Sequence, residues 1–184
     1  MRIITGTLRG RRLTPPSDRR IRPTSDKVKE AIFSMIAAYI GDGCVCADVF
    51  SGTGNLGLEA ISRGAVRVYF GDSSRDSIRL IRENVKYCGA ENQAVILAGD
   101  YHTMLARIRE PVDVFFLDPP YADGLLIPCI EAIADGDLLE PDGVIVAEHD
   151  SRDVLPDHIG IFAKLREKQY GSIGVTLYAR GDVR

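Results

Sequence analysis

A carboxylate, two prolines and an aromatic ring follow an apolar segment in the second half of the chain. These residues are Asp118, Pro119, Pro120 and Tyr121, and the apolar segment is 112–117. The Asp118 carboxylate and a backbone carbonyl can accept the N–H groups of a planar amine while the Tyr121 ring stacks on its face. A simple tight turn after a strand is the alternative reading of this motif.

A glycine-rich turn lies earlier in the chain, between a predicted strand and a predicted helix. Gly52, Gly54 and Gly57 have the spacing of a dinucleotide-binding turn, in which glycines let the backbone approach a ligand at a helix start. Asp48 precedes this turn at the strand end, where an acid suits the ammonium group of S-adenosylmethionine but is poorly placed beside a pyrophosphate. Together the two motifs predict methyl transfer from S-adenosylmethionine to an exocyclic amine, with S-adenosylhomocysteine as product.

Two further acids fall at predicted strand ends, where ligands bind in sheets of this type. Asp72 can accept hydrogen bonds from ribose hydroxyls in a methyltransferase or in an oxidoreductase. Asp100 can accept from the adenine amino group or can cap the next helix, and the sequence leaves both readings open. The predicted cofactor-binding residues are Asp48, Phe50, Ser51, Gly52, Thr53, Gly54, Gly57, Asp72 and Asp100.

The predicted catalytic residues are Asp118, Pro119, Pro120 and Tyr121. An exocyclic nucleobase amine is a poor nucleophile, because its lone pair is delocalised into the ring. Hydrogen bonds from the amine to the Asp118 carboxylate and the Pro119 carbonyl favour a localised lone pair and stabilise the developing positive charge. Such a pocket can accept only a base that is single-stranded or flipped out of a helix. For Glu148, at the end of a later strand, a structural role is at least as well supported as a role in the pocket.

Strands alternate with helices along the chain, which predicts an α/β fold with a mainly parallel sheet. Segments 45–49 and 112–117 are apolar throughout, as expected of strands covered on both faces. Residues 2–4 and 12–14 fit a small hairpin. The predicted strands are 44–50, 66–70, 94–97, 112–117, 144–148, 159–166 and 174–179. The predicted helices are 25–40, 55–63, 74–88, 102–108 and 125–134.

The net charge of −3 conceals a basic amino-terminal segment on an acidic body. Residues 1–30 contain nine Lys or Arg against three acids, which indicates a polyanionic partner such as nucleic acid. The four cysteines have no metal-binding spacing and are expected to be free, buried thiols, and neither they nor the three histidines indicate a metal site. With no secretory signal and no long apolar stretch, the chain is expected to be soluble and cytoplasmic, without a membrane partner.

The chain resembles the RsmD-type family of 16S ribosomal RNA guanine-N2 methyltransferases over nearly its whole length. The resemblance is carried by residues 2–13, 22–33, 48–65 and 118–121. The motif at 118–121 is shared by many amino-methyltransferases. The amino-terminal segments are therefore what distinguishes the RsmD-type family from the others. Two positions depart from the family pattern: Thr5 stands where a glycine is common, and Asp72 where the longer glutamate is usual.

The resemblance implies a Rossmann-like fold with a seven-stranded sheet whose last strand is antiparallel. It divides the chain into a basic arm, 1–24, and a methyltransferase domain, 25–184. It also implies that the substrate is 16S ribosomal RNA within the small subunit or its assembly intermediate. The predicted RNA-binding residues are Arg9, Arg11, Arg12, Arg20, Arg22, Lys27 and Lys29.

Three other functions remain open on the sequence alone. The first is amino-methyl transfer to another RNA, to DNA adenine or cytosine, or to a protein glutamine, although Asp118 in place of asparagine weighs against the glutamine enzymes. The second is a nicotinamide-dependent oxidoreductase. The third is a non-catalytic RNA-binding module.

Overall fold

The computed structural model describes residues 1–16 and 24–181, and within them a single sheet runs through the molecule. Its strands are β1 Val45–Asp48, β2 Arg67–Asp72, β3 Ala94–Ala98, β4 Val112–Leu117, β5 Leu139–Asp150, β6 His158–Ile159, β7 Phe162–Tyr170 and β8 Ile173–Arg180. Its helices are α1 Asp26–Met35, α2 Asn55–Ser62, α3 Arg75–Cys88, α4 Tyr101–Leu105 and α5 Leu126–Asp135, and Tyr121–Asp123 form a short 3₁₀ helix.

The strand order is β3-β2-β1-β4-β5-β8-β7-β6. Strands β1 to β5 pair in parallel, whereas β8 is antiparallel to both of its neighbours, β5 and β7. The α/β fold with an antiparallel last strand is therefore confirmed. The predicted number of seven strands is wrong, since the sheet has eight within the described residues. The strand predicted at 159–166 is in fact two strands, because Gly160 has a φ of +56° and turns the chain between β6 and β7.

The central strands are covered on both faces, as their apolar sequences predict. On one face, Val114 and Phe116 of β4 belong to a core that includes side chains of α1, α2 and α3. On the other face, Phe115 and Leu117 pack in a second core with side chains of α4 and α5. This double cover leaves the carboxyl ends of β1, β2, β4 and β5 to carry polar residues.

The amino-terminal arm is joined to the body by apolar contacts and by buried polar groups. Its predicted hairpin is reduced to one antiparallel bridge, between Arg2 and Arg12. Ile3 and Leu13 are buried in the core that contains α1 to α3. The side chain of Asn84 in α3 accepts the Thr14 N–H at 2.8 Å and donates to the Thr14 carbonyl at 3.2 Å. The arm thus shares a hydrophobic core with the rest of the chain.

The four cysteines are free and buried, as predicted. The Sγ atoms of Cys44, directly before β1, and Cys46, within it, lie 3.9 Å apart. Across 1–16 and 24–181, none of the helices is long and apolar enough to cross a bilayer.

Candidate active site

Acidic residues line the carboxyl edge of the sheet at the point where the strand order changes direction. Asp48 and Asp72 end β1 and β2, Asp118 directly follows β4, and Glu148 lies near the end of β5. All four border one cavity of about 960 Å³, which also contacts the glycine-rich turn. Ligands of open α/β sheets bind at this kind of switch point, here between β1 and β4.

The glycine-rich turn is shaped by two glycines that no other residue could replace without strain or collision. Gly54 has a φ of +80° and directly precedes α2, so a side chain there would be strained. A Cβ at Gly57 would lie 2.3 Å from Cε1 of Phe70 in β2, and this close approach sets α2 against the sheet. The start of α2 is thereby directed at the cavity, with Asn55 and Leu56 among the lining residues.

Asp48 is buried beneath the turn, with only 2% of its surface exposed. Its Oδ2 accepts the Gly57 N–H at 3.0 Å. Burial raises the pKa of this carboxyl to about 7, and the Gly57 hydrogen bond only partly opposes that effect. A cationic ligand next to Asp48 would restore its charge, so the site suits the ammonium group that the sequence predicts there.

Asp72 accepts two backbone hydrogen bonds, one from the glycine-rich turn and one from the residue that caps α3. Its Oδ2 accepts from the Gly52 N–H at 2.9 Å and its Oδ1 from the Ser74 N–H at 2.8 Å. The Ser51 hydroxyl donates to the Asp48 carbonyl and accepts the Gly71 N–H at 3.1 Å, which joins the turn to β1 and β2. The shorter Asp72 therefore fixes the turn while its carboxylate remains at the cavity wall.

Asp100 has the helix-capping role that the sequence left open, and the contact with adenine stays a prediction. Its Oδ1 accepts the Thr103 N–H at 2.8 Å and so caps α4. The same exposed residue also borders the cavity, next to Tyr101, whose ring lies 6.2 Å from that of Phe50. Phe50, Ser51 and Thr53 likewise line the cavity. Seven of the nine predicted cofactor-binding residues therefore border it, whereas Gly54 and Gly57 are not among its lining residues.

The motif at 118–121 forms a second wall of the cavity, after β4 and beside the end of β1. Burial raises the pKa of Asp118, and hydrogen bonding by the Thr24 side chain acts in the opposite direction. Pro119 is buried, Pro120 is exposed, and Tyr121 begins the 3₁₀ helix with 40% of its surface exposed. The Tyr121 ring is therefore accessible at the mouth of the cavity, where a planar base can stack on it.

Glu148 also belongs to the site, although the sequence alone did not assign it a role there. Its side chain is only 4% exposed, and its Oε1 accepts the Tyr121 hydroxyl at 3.3 Å. Burial first, and then the nearby Asp118 carboxylate, raise the pKa of Glu148 well above its usual range. The sequence shows that Glu148 follows an apolar segment. It does not show that this segment pairs with β4, and only that pairing places Glu148 beside Asp118.

The predicted RNA-binding residues fall into three groups. Arg9, Arg11, Arg12 and Lys27 are exposed, and Nη1 of Arg11 also donates to the Tyr87 carbonyl at 2.8 Å. Lys29 was predicted wrongly, because its side chain is completely buried. Its Nζ lies 3.1 Å from Glu59 Oε2 and donates to Asn55 Oδ1 at 2.8 Å. Arg20 and Arg22 lie outside the described residues.

The basic arm flanks the acidic cavity. Met1 and Pro16, at the two ends of the described part of the arm, line the cavity together with Thr24. The Asn84 side chain links the arm to the glycine-rich turn, since its Nδ2 donates both to Thr14 and, at 2.9 Å, to the Thr53 carbonyl. The middle of the arm lies farther from the cavity, since the Leu8 N–H donates to the Ser62 hydroxyl at the carboxyl end of α2 and Arg11 donates to the Tyr87 carbonyl near the end of α3.

The acidic residues that line the cavity fit an organic cation that carries hydroxyl and amino groups. The carboxyls of the buried Asp48 and the half-buried Asp118 have raised pKa values and both border the cavity. Glu148 Oε2 is one of two buried side-chain polar atoms without a hydrogen-bond partner among the described residues. Among those same residues, no group of three or more His, Cys, Asp or Glu side chains is arranged to hold a metal ion. S-adenosylmethionine has the ammonium, sulfonium, ribose and adenine groups that this wall can accept.

Comparisons with known proteins bear on the same residues. A family model described as "Conserved hypothetical protein 95" matches residues 1–179. "Ribosomal RNA small subunit methyltransferase D" of Escherichia coli (strain K12) is 34% identical over 180 residues, which cover 98% of this chain and 90% of that protein. The Bacillus subtilis (strain 168) protein YlbH is 38% identical over 183 residues, covering 98% of this chain and 99% of that protein.

Solved structures agree with the sequence comparisons. The Escherichia coli protein yhhF superposes with a TM-score of 0.86 at 33% identity, and the match covers 98% of this chain and 97% of that chain. The similarity therefore extends over the arm, the glycine-rich turn and the motif at 118–121.

Proposed function

The chain belongs to the RsmD-type methyltransferase family, and from that premise we propose that it methylates the exocyclic N2 amine of a guanine in 16S ribosomal RNA. The observation that carries the proposal is that two acids on neighbouring strands, the buried Asp48 and the half-buried Asp118, border one cavity. Asp48 lies beneath the glycine-rich turn, and Asp118 begins the motif on the next strand. One acid suits the cofactor's ammonium group, and the other suits the target amine. With ribosomal RNA as substrate, the proposed site of action is the cytoplasm.

The cofactor half of the cavity is assigned to the wall formed by β1, β2 and the turn. Asp48 would hold the ammonium group of S-adenosylmethionine, and the amino end of α2 would lie near the carboxylate of the same cofactor. The Asp72 carboxylate would accept from the ribose hydroxyls, and Asp100 would accept from the adenine amino group. When bound, S-adenosylmethionine supplies an electrophilic methyl group and leaves as S-adenosylhomocysteine.

The motif at 118–121 would orient the amine and stabilise its developing positive charge. The Asp118 carboxylate and the Pro119 carbonyl would each accept one N–H of the amine, which directs the nitrogen lone pair away from these acceptors. Tyr121 would stack on the base and restrict its tilt. Orientation of this kind supplies up to about 7–11 kcal/mol in the best cases. The amine proton held by Asp118 can leave after transfer.

The exposed basic residues of the arm would hold the RNA backbone along the arm, whose two ends border the cavity. Arg9, Arg11, Arg12 and Lys27 are available for phosphate contacts, whereas Lys29 is not. Phosphate contacts position a nucleic acid without reading its sequence. The choice of nucleotide therefore depends on the cavity and on the fold of the RNA, within the small subunit or its assembly intermediate.

The proposal is tested by identifying the methylated nucleoside. Purified protein and methyl-labelled S-adenosylmethionine are incubated with unmodified small subunits, naked 16S RNA, transfer RNA or DNA, and each product is digested to nucleosides. We expect label in N2-methylguanosine from small-subunit RNA, and none with the Asp118→Ala variant. Label in N6-methyladenosine or in DNA, or no label at all, would overturn the assignment.

A further inference from the structure

We propose that Glu148 selects guanine as the target base by accepting its ring N1–H through Oε2. This inference rests on the proposed function, because it identifies how the same cavity recognises its substrate. It assigns Glu148 a contact with the base, on the side of the cavity opposite the glycine-rich turn.

The position of Glu148 follows from the register of two parallel strands. Leu117 of β4 is paired with Ala147 of β5, so Asp118 and Glu148 are the next residues on adjacent strands. Neighbouring strands lie about 4.8 Å apart, which places the two carboxyl groups side by side at the edge of the sheet. Both residues border the cavity. A base that offers its amine to Asp118 therefore presents the adjacent ring atom toward Glu148.

The orientation of the Glu148 carboxyl is fixed from one side only. Oε1 accepts the Tyr121 hydroxyl at 3.3 Å, whereas Oε2 is buried and has no hydrogen-bond partner in the described part of the chain. A buried acceptor without a donor costs free energy, and a charged one costs more. The cavity thus contains a preoriented acceptor that a ligand N–H would satisfy.

Guanine matches this pair of acceptors better than any other standard base. Its exocyclic amine and its N1–H are adjacent donors on one edge. Adenine and cytosine have an exocyclic amine, but the ring nitrogen beside it is an acceptor, which would face the Glu148 carboxylate without a proton between them. Uracil has a ring N–H but no exocyclic amine to methylate. Two neighbouring carboxylates are therefore complementary to guanine alone.

The electrostatics of the pair favour a ligand with two donors. Burial and the adjacent Asp118 raise the pKa of Glu148, and burial raises that of Asp118. Hydrogen bonds from a ligand to the charged form stabilise that form and lower the pKa of the carboxyl. A base with two N–H groups supplies one such bond to each carboxylate, whereas a base with a single amine leaves one of them uncompensated.

The test is a change in base selectivity. Small-subunit RNA is ligated to carry either guanosine or 2-aminopurine riboside at the nucleotide that the wild-type protein methylates. 2-Aminopurine keeps the 2-amine but has an unprotonated N1. The glutamine in Glu148→Gln can donate to that N1, so we expect kcat/KM for guanine to fall by about 10- to 100-fold while that for 2-aminopurine does not fall. Glu140→Gln, at the other end of β5, is the matched control and should retain the wild-type ratio.

Each outcome separates this inference from the proposed function. If the wild-type protein does not methylate guanine, the proposed function fails. If it does, and Glu148→Gln retains the wild-type ratio of kcat/KM for guanine to that for 2-aminopurine, the selection role is wrong even when overall activity falls. S-adenosylhomocysteine affinity of Glu148→Gln should match that of the wild type, and its unfolding temperature should not be lower. A merely structural loss would instead reduce activity on both bases equally.

Discussion

The ammonium group of Lys29 lies 3.1 Å from the carboxylate of Glu59, and both side chains are completely shielded from solvent. The pair connects three parts of the molecule. Glu59 accepts the backbone N–H groups of Ile4 and Thr5 in the arm at 2.8 and 3.0 Å. Lys29 donates to Asn55 at the start of α2. Lys29, at the end of the basic segment, thus joins the arm to the glycine-rich turn.

Removal of one charge from this pair should destabilise the protein strongly. Glu59→Gln leaves the buried Lys29 ammonium without its counter-charge, and breaking a buried pair in this way costs about 3–5 kcal/mol. Urea denaturation should show that decrease in the free energy of unfolding. Arg79→Ala, which removes an exposed pair with Asp76, should cost about 0–1 kcal/mol. Similar losses for the two variants would contradict the structural role of Lys29.

Lys29 also shows where prediction from sequence ends. The apolar strand at 112–117, the glycine spacing and the motif at 118–121 are local patterns, so the α/β fold and the two walls of the cavity could be predicted. Burial of Lys29 depends on Glu59, which lies on another helix, and a count of charges in the segment cannot detect it. Glu148 was undervalued for a related reason: its place beside Asp118 depends on the pairing of β4 with β5.

Gly57 should tolerate no side chain. A Cβ there would lie 2.3 Å from the Phe70 ring, so Gly57→Ala forces α2 away from β2 and should cost about 1–3 kcal/mol. The shift also moves the turn, so S-adenosylhomocysteine should bind more weakly. Gly41→Ala is the matched control: no atom lies within 4 Å of its Cβ position, so stability should be unchanged or slightly raised. Thermal unfolding and calorimetric titration measure both effects, and a Gly57→Ala variant as stable as Gly41→Ala would refute the packing argument.

Asp48 should make cofactor binding depend on pH. Burial raises the pKa of Asp48 to about 7, so the carboxyl is largely protonated below that pH and charged above it. Only the charged form attracts an ammonium group, so S-adenosylhomocysteine should bind the wild type more tightly at about pH 8 than at about pH 6. Titration calorimetry of the wild type and Asp48→Asn tests this, because the variant should bind more weakly and lose that increase. A parallel pH dependence in the two proteins would exclude Asp48 as its source.

The same carboxyl should lower the stability of the ligand-free protein as pH rises. Its pKa is about 7 in the folded protein against an ordinary value of 3.8, so between these values the folded state binds more protons than the unfolded state. Stability from this group is therefore present at low pH and is lost as pH rises through about 7. Asp48→Asn should unfold at a higher temperature than the wild type at about pH 8, and the difference should shrink near about pH 4.

Arginines on the arm should contribute to RNA affinity without affecting the cofactor site. Arg9 and Arg12 are exposed, and charge reversal at both should weaken RNA binding and reduce its dependence on salt concentration, since fewer phosphate contacts then release counterions. S-adenosylhomocysteine affinity should not change. Arg107→Glu with Arg109→Glu is the control, because these exposed residues precede the amino end of β4, away from the cavity. Equal loss of RNA binding in the two double variants would point to net charge instead of a defined surface.

Asp118 should affect transfer and not cofactor binding. Asp118→Ala removes the acceptor that orients the target amine and stabilises its positive charge, and loss of one such interaction reduces kcat by about 100-fold or more. Asp118→Asn keeps a side-chain oxygen as acceptor but not the charge, so its loss should be smaller. Single-turnover methylation measures the rate, and S-adenosylhomocysteine titration should give wild-type affinity for both variants. If the alanine variant instead lost cofactor affinity in proportion to its rate, Asp118 would belong to the cofactor half of the cavity and the division between the two walls would be wrong.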